Sequence, residues 1–249
     1  MCKASRLNYV LACLLLSTSP LYADTPWNGA YIGANIGASL ADADFSAAGS
    51  NPTSFIGVSI FNAIVASANG DFSDALISGG GQLGFNVQQG GWIFGLEADF
   101  NALQLDEQRT YSGADSAFTW VGGDRVSADW LVTARARAGI LATPALLFYG
   151  TAGVAFTQIK QDSTLDFAGS SVISHRVGGE ESKAGWAAGA GAEYSLGGSW
   201  SLKAEYLYVH FSDVSATATI DPPPLPTTIT HSVDDLSLHN LRVGLNYGF

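Results

Sequence analysis

The chain has 249 residues, a formal net charge of −11, 47% hydrophobic residues, 13% charged residues and 29 glycines. Few charges and many glycines are typical of sheet-rich or membrane proteins. No segment after the N-terminus approaches the ~18 uninterrupted apolar residues of a transmembrane helix. The acidic balance argues against nucleic-acid binding, which needs a basic surface, and the apolar content argues against a disordered chain.

The first 23 residues have the features of a secretory signal. Lys3 and Arg6 give a positively charged start, residues 9–16 form a short apolar stretch, and Ala23 is a small residue suited to cleavage. We therefore expect residues 1–23 to be removed on export and residues 24–249 to form the mature domain. Both cysteines lie in the leader, so we expect a mature chain without disulfide or thiol chemistry.

After the leader, the sequence alternates between apolar residues and small or polar residues, which is the period of a β-strand with two different faces. This alternation occurs in eight segments, at 30–40, 79–88, 92–101, 130–141, 146–156, 184–196, 200–211 and 236–249. Each is roughly ten residues long, the length with which a tilted strand crosses a bilayer. The pattern therefore predicts eight membrane-spanning strands.

The connections between these segments are alternately short and long. Tight turns rich in glycine or proline are predicted at 89–91, 142–145 and 197–199. Long polar loops are predicted at 41–75, 102–129, 157–183 and 212–235. Short periplasmic turns and long extracellular loops are the arrangement of outer-membrane barrels. We therefore predict an all-β protein, an eight-stranded antiparallel transmembrane β-barrel with both termini on the periplasmic side.

The two faces of the predicted strands differ as lipid and lumen differ. The apolar face carries no charged residue in the eight segments, as expected for a wall in contact with lipid. The other face is rich in glycine and asparagine, which suits the narrow interior of an eight-stranded barrel. Aromatic residues mark the segment ends and predict a girdle at each membrane interface; its tryptophans are Trp92, Trp130, Trp186 and Trp200.

Eight charged residues share the inward phase of the strands: Glu97, Asp99, Arg135, Arg137, Glu193, Lys203, Glu205 and Arg242. Four are acidic and four are basic, so opposite charges should pair in the lumen. Counting from the short turns predicts the pairs Glu97–Arg137, Asp99–Arg135, Glu193–Lys203 and Glu205–Arg242. Such a band could act as an ion filter or as a structural plug, and the plug is favoured because eight strands leave little lumen.

Three stretches resemble the small outer-membrane immunogenic proteins of the OmpA-like eight-stranded barrel superfamily. They are Trp-Asn-Gly-Ala-Tyr-Ile-Gly at 27–33, Leu-Lys-Ala-Glu-Tyr-Leu-Tyr-Val at 202–209 and Val-Gly-Leu-Asn-Tyr-Gly-Phe at 243–249. The resemblance implies a surface-exposed integral outer-membrane protein of a Gram-negative cell and no enzyme. It also implies that the closing strand, with Gly244, Tyr247 and Phe249, carries the signal that the barrel assembly machinery recognises.

Three functions remain open at this point. The first is a structural and surface-antigen role, with the lumen closed by the charge band. The second is a narrow porin-like channel. The third is a lipid A-modifying enzyme that uses His210 and Ser212, both in the outward phase near the rim.

We expect three kinds of partner. They are outer-membrane lipid including lipopolysaccharide, the barrel assembly machinery, and an extracellular partner of the acidic loops. No cofactor is expected. No metal site is expected either, because the four histidines are scattered without ligand spacing.

Overall fold

The computed structural model describes residues 27–50, 58–114, 119–168, 173–212, 214–220 and 227–249, so the predicted leader at 1–23 lies outside the described residues. These ranges contain β1 (Gly29–Ser50), α1 (Val58–Ala68), β2 (Gly70–Gln89), β3 (Trp92–Ala114), β4 (Thr119–Thr143), β5 (Leu146–Ala168), β6 (Ile173–Gly197), β7 (Trp200–Phe211), β8 (Val214–Ile220) and β9 (Thr227–Gly248). Within them, no helix has the length and hydropathy to span a membrane.

The strands form one antiparallel sheet that closes on itself. The order around the ring is β1-β2-β3-β4-β5-β6-β7-β9, and β9 pairs back with β1. β8 pairs with the part of β9 that lies beyond the end of β7. It therefore occupies the same place in the barrel as β7 and does not add a ninth strand to the ring. The predicted eight-stranded antiparallel barrel is confirmed, and closure lets every ring strand pair on both sides along the part nearest the short turns.

Three tight turns lie together at one end of the barrel, as the sequence predicts. Gly90 and Gly198 adopt φ values of 61° and 60°, the left-handed conformation that tight hairpin turns require. The C-terminus lies at this end too, because the Phe249 amide donates to the Ala30 carbonyl across 2.9 Å. This end corresponds to the predicted periplasmic side.

Six strands, β1 to β6, are about twice as long as predicted and extend at the opposite end, whereas β7 ends where the sequence predicts. The segments at 102–129 and 157–183, predicted as loops, are mostly strand: β3 reaches Ala114, β4 begins at Thr119, and β5 reaches Ala168. The prediction failed because residues above the membrane face water on the outside. The outward positions there are polar and inward positions such as Leu103, Leu105 and Ile159 are apolar, so the alternation has the opposite phase to that of the membrane-spanning part.

Charged side chains cover the outer wall of these extensions. Arg125 donates two hydrogen bonds to the Asp106 carboxylate, and Lys160 donates to Asp129 across 2.8 Å. The hydrogen bonds from Arg125 also hold the pKa of the Asp106 carboxyl below its ordinary value. Because these pairs lie above the apolar residues of the same strands, they indicate where the membrane ends.

The outer wall below these charges is apolar, which inverts the usual arrangement of a water-soluble protein. Leu96 is 67% exposed and Leu83 is 62% exposed, while Glu97 and Gln82 on the same strands are buried. Trp92, Trp186 and Trp200 are exposed near the edges of this band. Trp130 is half-buried beside an irregularity in the pairing of β3 and β4. The predicted lipid-facing phase of the strands is therefore confirmed.

The interior is filled in layers from the short-turn end upward. The lowest layer is apolar and consists of Trp27, Ile93, Leu147 and Tyr149, with Leu141 packed against it. The eight charged residues come next along the inward phase of the strands. Above them lies a second apolar layer of Ala41, Leu76, Leu103, Leu105, Val126, Ala128, Leu131, Ala155, Ile159, Ala187, Leu207, Val209, Phe211, Leu236 and Leu238. The charge layer is thus enclosed between two apolar layers.

The helix α1 forms a further layer at the long-strand end. Phe61, Ile64 and Ala68 recur at helical spacing and are buried against Tyr111 and Trp120, which point inward from β3 and β4. The segment at 41–75 was predicted as a loop, and the helix within it was missed. The apolar side of α1 stabilises the helix only because the strand extensions cover it. The sequence analysis did not predict those extensions either.

One arginine holds the C-terminal end of this helix. The Arg109 guanidinium donates to the carbonyl oxygens of Ser67 and Ala68, each across 3.1 Å, and to that of Asn69. The last carbonyls of a helix lack partners within the helix and carry partial negative charge, so a cation at this position stabilises the end. Arg109 therefore attaches α1 to the inner wall of β3.

Candidate functional site in the barrel lumen

The eight inward charges come from five of the ring strands. Glu97 and Asp99 lie on β3, Arg135 and Arg137 on β4, Glu193 on β6, Lys203 and Glu205 on β7, and Arg242 on β9. Their side chains are at most 4% exposed. The alternation of each strand places them inward at similar heights, and we call them the charge layer.

Arg135 lies at the centre of the charge layer. Its Nη2 atom is 2.6 Å from Glu97 Oε1 and 2.7 Å from Asp99 Oδ2, and its Nη1 atom is 2.9 Å from Glu205 Oε1. Its Nε atom donates to Thr133 Oγ1 across 2.9 Å. One guanidinium therefore joins carboxylates from β3 and β7, which lie on different sides of the ring.

Arg242 and Lys203 complete the upper part of the layer. Arg242 donates from Nε to Glu205 Oε1 across 2.8 Å and from Nη1 to Asp99 Oδ1 across 3.2 Å. The Lys203 ammonium lies 2.9 Å from both oxygens of Glu97 and 3.8 Å from Glu205 Oε2. Each carboxylate in this part accepts from more than one cation, so the layer is a continuous network.

Arg137 forms the lower part of the layer, closer to the short turns. It donates to Glu193 Oε2 across 2.7 Å and to the Tyr31 hydroxyl across 3.0 Å. Its guanidinium also lies 4.0 Å from the centroid of the Tyr149 ring, a cation–π contact. Glu193 in turn accepts from Ser201 across 2.6 Å.

The structure supports some of the predicted pairs and not others. Asp99–Arg135 and Glu205–Arg242 are in direct contact. Arg137 lies 3.7 Å from Glu97 but only 2.7 Å from Glu193. The Glu193–Lys203 pair is wrong: the two residues are neighbours in register, yet Lys203 contacts Glu97 and Glu205 instead. In so narrow a lumen, long side chains reach across the ring and are not limited to the adjacent strand.

Amide and phenol groups join this network, and the sequence analysis did not assign them to it. Gln82 connects Asn35 and Asn246, and Asn246 donates to Glu193 across 2.7 Å. The hydroxyl of Tyr149 donates to Glu205 across 2.7 Å. All four share the inward phase with the charges, so an inward polar residue at the height of the charge layer is the signal that could have identified them.

Glycines make room for the two tyrosines. A Cβ atom at Gly84 would overlap the Tyr31 ring, and one at Gly191 would overlap the Tyr149 hydroxyl. Each glycine is the register partner of its tyrosine on the adjacent strand, and the tyrosine side chain lies over it. The glycine-rich inward face is therefore what allows Tyr31 and Tyr149 to reach the charges.

The other predicted positions lie on the outer wall or at the closing strand. Tyr247 and Phe249 are exposed, with ring centroids 5.4 Å apart, and Trp200 lies 5.0 Å from Tyr247. Gly244 faces the lumen on β9. The outward His210 lies 5.8 Å from the Trp186 ring. In the described part of the chain, no group of three or more His, Cys, Asp or Glu residues could hold a metal ion.

A closed ring of eight antiparallel strands, with an apolar outer band, aromatic edges and a charged interior, defines an outer-membrane β-barrel. Residues 9–249 match the family described as outer membrane protein beta-barrel domain. The chain belongs to this family, and the protein resides in the outer membrane.

Two curated relatives are similar to this chain over most of its length. The chain is 32% identical over 224 residues to the 31 kDa outer-membrane immunogenic protein of Brucella melitensis biotype 1 and to that of Brucella suis biovar 1, covering 90% of this chain and 84% of each relative. The resemblance to outer-membrane immunogenic proteins is thus confirmed.

Two solved structures are similar at lower identity. The outer membrane protein OprG from Pseudomonas aeruginosa is 14% identical with a TM-score of 0.45, covering 89% of this chain and 97% of that chain. Neisserial surface protein A is 14% identical with a TM-score of 0.39, covering 89% and 98%.

Proposed function

We propose that this protein is a non-enzymatic structural and surface protein of the outer membrane whose lumen is closed. The observation that carries this proposal is the charge layer, in which every guanidinium, ammonium and carboxylate is paired and at most 4% exposed. A conduction path through it needs ion pairs to separate in a nearly dry interior. Separating a buried pair is strongly unfavourable, because each charge loses its partner without regaining water.

The layers above and below the charges support closure. Ile93 and Leu147 fill the interior below them, and Leu207, Val209 and Phe211 fill it above. An eight-stranded barrel leaves an interior just wide enough for side chains. An ion would therefore have to pass two apolar layers as well as the charge layer.

The closed lumen can be tested by conductance. We expect the refolded wild-type barrel in a planar bilayer to give no steady current steps, with its folded state verified by heat-modified migration on a gel. The narrow-channel alternative predicts steady, ion-selective steps whose selectivity changes with Arg137→Gln. Such steps from folded wild-type protein would overturn the closed-lumen proposal.

The surface role rests on the strand extensions, which rise beyond the apolar band and carry exposed charges. The curated relatives are named as outer-membrane immunogenic proteins, and we extend the role of an antigen to this chain. The acidic outer hairpins would then meet the medium or a partner outside the cell. The barrel assembly machinery, acting on the strand with Gly244, Tyr247 and Phe249, would place the protein in this orientation.

The orientation can be tested with single cysteines in an otherwise cysteine-free mature chain. We expect Ser112→Cys, exposed near the end of β3, to react on intact cells with a maleimide too large to cross the outer membrane. The matched control is Gly91→Cys, in the tight turn between β2 and β3, which should react only after the outer membrane is permeabilised. Labelling of Gly91→Cys alone on intact cells would contradict the proposed surface.

A further inference from the structure

On three neighbouring strands, the outward-facing residues change from apolar to polar at the same height. On β1 the outward series passes from Leu40 to Asp42, and on β9 it passes from Leu241 to His239. On β7 it passes from Ala204 to Tyr206, Tyr208 and His210. Each strand thus replaces apolar side chains by hydrogen-bonding ones at the upper edge of the apolar band.

At this height, five aromatic or imidazole side chains form a contiguous cluster, which we call the aromatic–histidine patch: Trp186, Tyr206, Tyr208, His210 and His239. The Trp186 ring lies 5.2 Å from Tyr208 and 5.8 Å from His210, and Tyr208 lies 4.9 Å from His239. The Tyr206 hydroxyl is hydrogen-bonded to His239 Nδ1 at 2.6 Å. On the other side of the same imidazole, Nε2 lies 4.0 Å from Asp42 Oδ2.

The height of the patch matches the outer interface of the membrane. Trp200 marks the short-turn edge of β7, and His210 is ten positions further along this strand. That separation is about 33 Å along the strand at roughly 3.3 Å per residue. At a tilt of about 40° it becomes roughly 25 Å across the membrane, the height of the apolar band of such barrels.

The patch differs from the aromatic residues at the opposite edge. Trp92 and Phe94 also stack, with centroids 6.3 Å apart, and Trp200 contacts Tyr247. In these contacts no histidine or carboxylate takes part. Anchoring at a membrane interface needs only amphipathic aromatic rings. The additional imidazoles and carboxylate on the outer side favour a ligand that has hydrogen-bonding groups.

We propose that the aromatic–histidine patch binds the sugar headgroup of the outer-leaflet glycolipid, lipopolysaccharide. A pyranose ring has an apolar C–H face that stacks on Trp186 and Tyr208, and hydroxyl groups at its edge that hydrogen-bond to polar side chains. His239 and Tyr206 form a polar pair at the same surface, with the Asp42 carboxylate beside them. That carboxylate would repel a phosphate but accepts hydrogen bonds from hydroxyls, so the sugar is the favoured part of the headgroup.

The residues around the patch agree with this occupant. Trp186 is 49% exposed and Tyr206 is 44% exposed, so a bound sugar has ring surface to cover. The acyl chains of the same glycolipid would then lie along the apolar residues below, such as Leu241 and Val243 on β9. This inference rests on the outer-membrane location and is independent of whether the lumen is closed.

The test measures binding of lipid A to the refolded barrel in phosphocholine micelles, by native mass spectrometry and by the shift of the thermal unfolding midpoint. We expect the double variant Trp186→Leu, Tyr208→Leu to bind lipid A about tenfold more weakly than wild type, since each aromatic contact contributes a few-fold. The matched control is Trp92→Leu, Phe94→Leu at the opposite edge, which should bind like wild type. Equal loss in both double variants would reduce the patch to a general anchor and overturn the proposal.

A second comparison separates sugar from phosphate and guards against a folding defect. The conservative variants Tyr206→Phe and His239→Gln keep the ring or the size of the side chain, and each should weaken lipid A binding while the unfolding midpoint without lipid A stays unchanged. Enzymatically dephosphorylated lipid A should bind to wild type nearly as well as the phosphorylated form. Binding that disappears on dephosphorylation would show a phosphate site and overturn the assignment to the sugar.

Discussion

Replacing Arg135 by methionine should lower the free energy of unfolding of the barrel by about 3–5 kcal/mol, the usual cost of removing one partner from a buried charge cluster. Arg135 contacts the carboxylates of Glu97, Asp99 and Glu205, and all four side chains are at most 2% exposed. Methionine keeps most of the volume, so the loss reports the charge and not a cavity. The measurement is urea unfolding in lipid vesicles, followed by tryptophan fluorescence.

The matched control is Arg125→Met on the same strand. Arg125 also forms an ion pair, with Asp106, but both side chains are more than half exposed. Exposed pairs contribute about 0–1 kcal/mol, so this variant should unfold almost as wild type does. If Arg135→Met were as stable as Arg125→Met, the charge layer would not be the buried, paired network described above.

The second large effect should appear in a double-mutant cycle at Arg137 and Glu193. Arg137→Met alone removes the guanidinium that lies 2.7 Å from Glu193 Oε2 and leaves that carboxylate buried with only neutral donors. Adding Glu193→Gln removes the isolated charge and keeps a side chain that can hydrogen-bond to Ser201 and Asn246. We therefore expect the double variant to be more stable than Arg137→Met alone, with a coupling energy of about 1–3 kcal/mol.

A distant pair provides the reference for this cycle. Combining Arg137→Met with Asp106→Asn, which lies on the outer wall, should give additive changes within about 0.5 kcal/mol. The readout is again the free energy of unfolding of all single and double variants under one condition. Additivity at Arg137 and Glu193 would mean that the two groups do not interact in the folded barrel.

The membrane-spanning part of the fold could be predicted because its cause is local. Residues such as Phe94, Leu96 and Phe100 alternate with Glu97 and Asp99, since lipid lies on one side of each strand and the lumen on the other. Two environments with a sharp difference in polarity leave a period of two in the sequence. The number of strands, the turns and the inward charges follow from it.

The extensions and the helix could not be predicted by the same reasoning. Above the membrane, β3 continues with Leu103 and Leu105 inward and Asp106 outward, so the phase of the alternation is the reverse of the one that identifies a membrane-spanning strand. The apolar stripe of α1 is short, and its partners Tyr111 and Trp120 belong to these extensions. Elements that stabilise each other over a long sequence separation leave little trace in either segment alone.

By itself, the sequence determined which residues face lipid and which face the lumen, because that choice repeats every two residues along a single strand. It also determined that the lumen holds four acids and four bases. Only the tertiary structure decided which of them meet: Lys203 lies beside Glu193 in register yet binds Glu97, and Arg135 joins β3 to β7. These contacts depend on the stagger between strands and on side chains that cross a closed ring, and both arise only when the sheet closes.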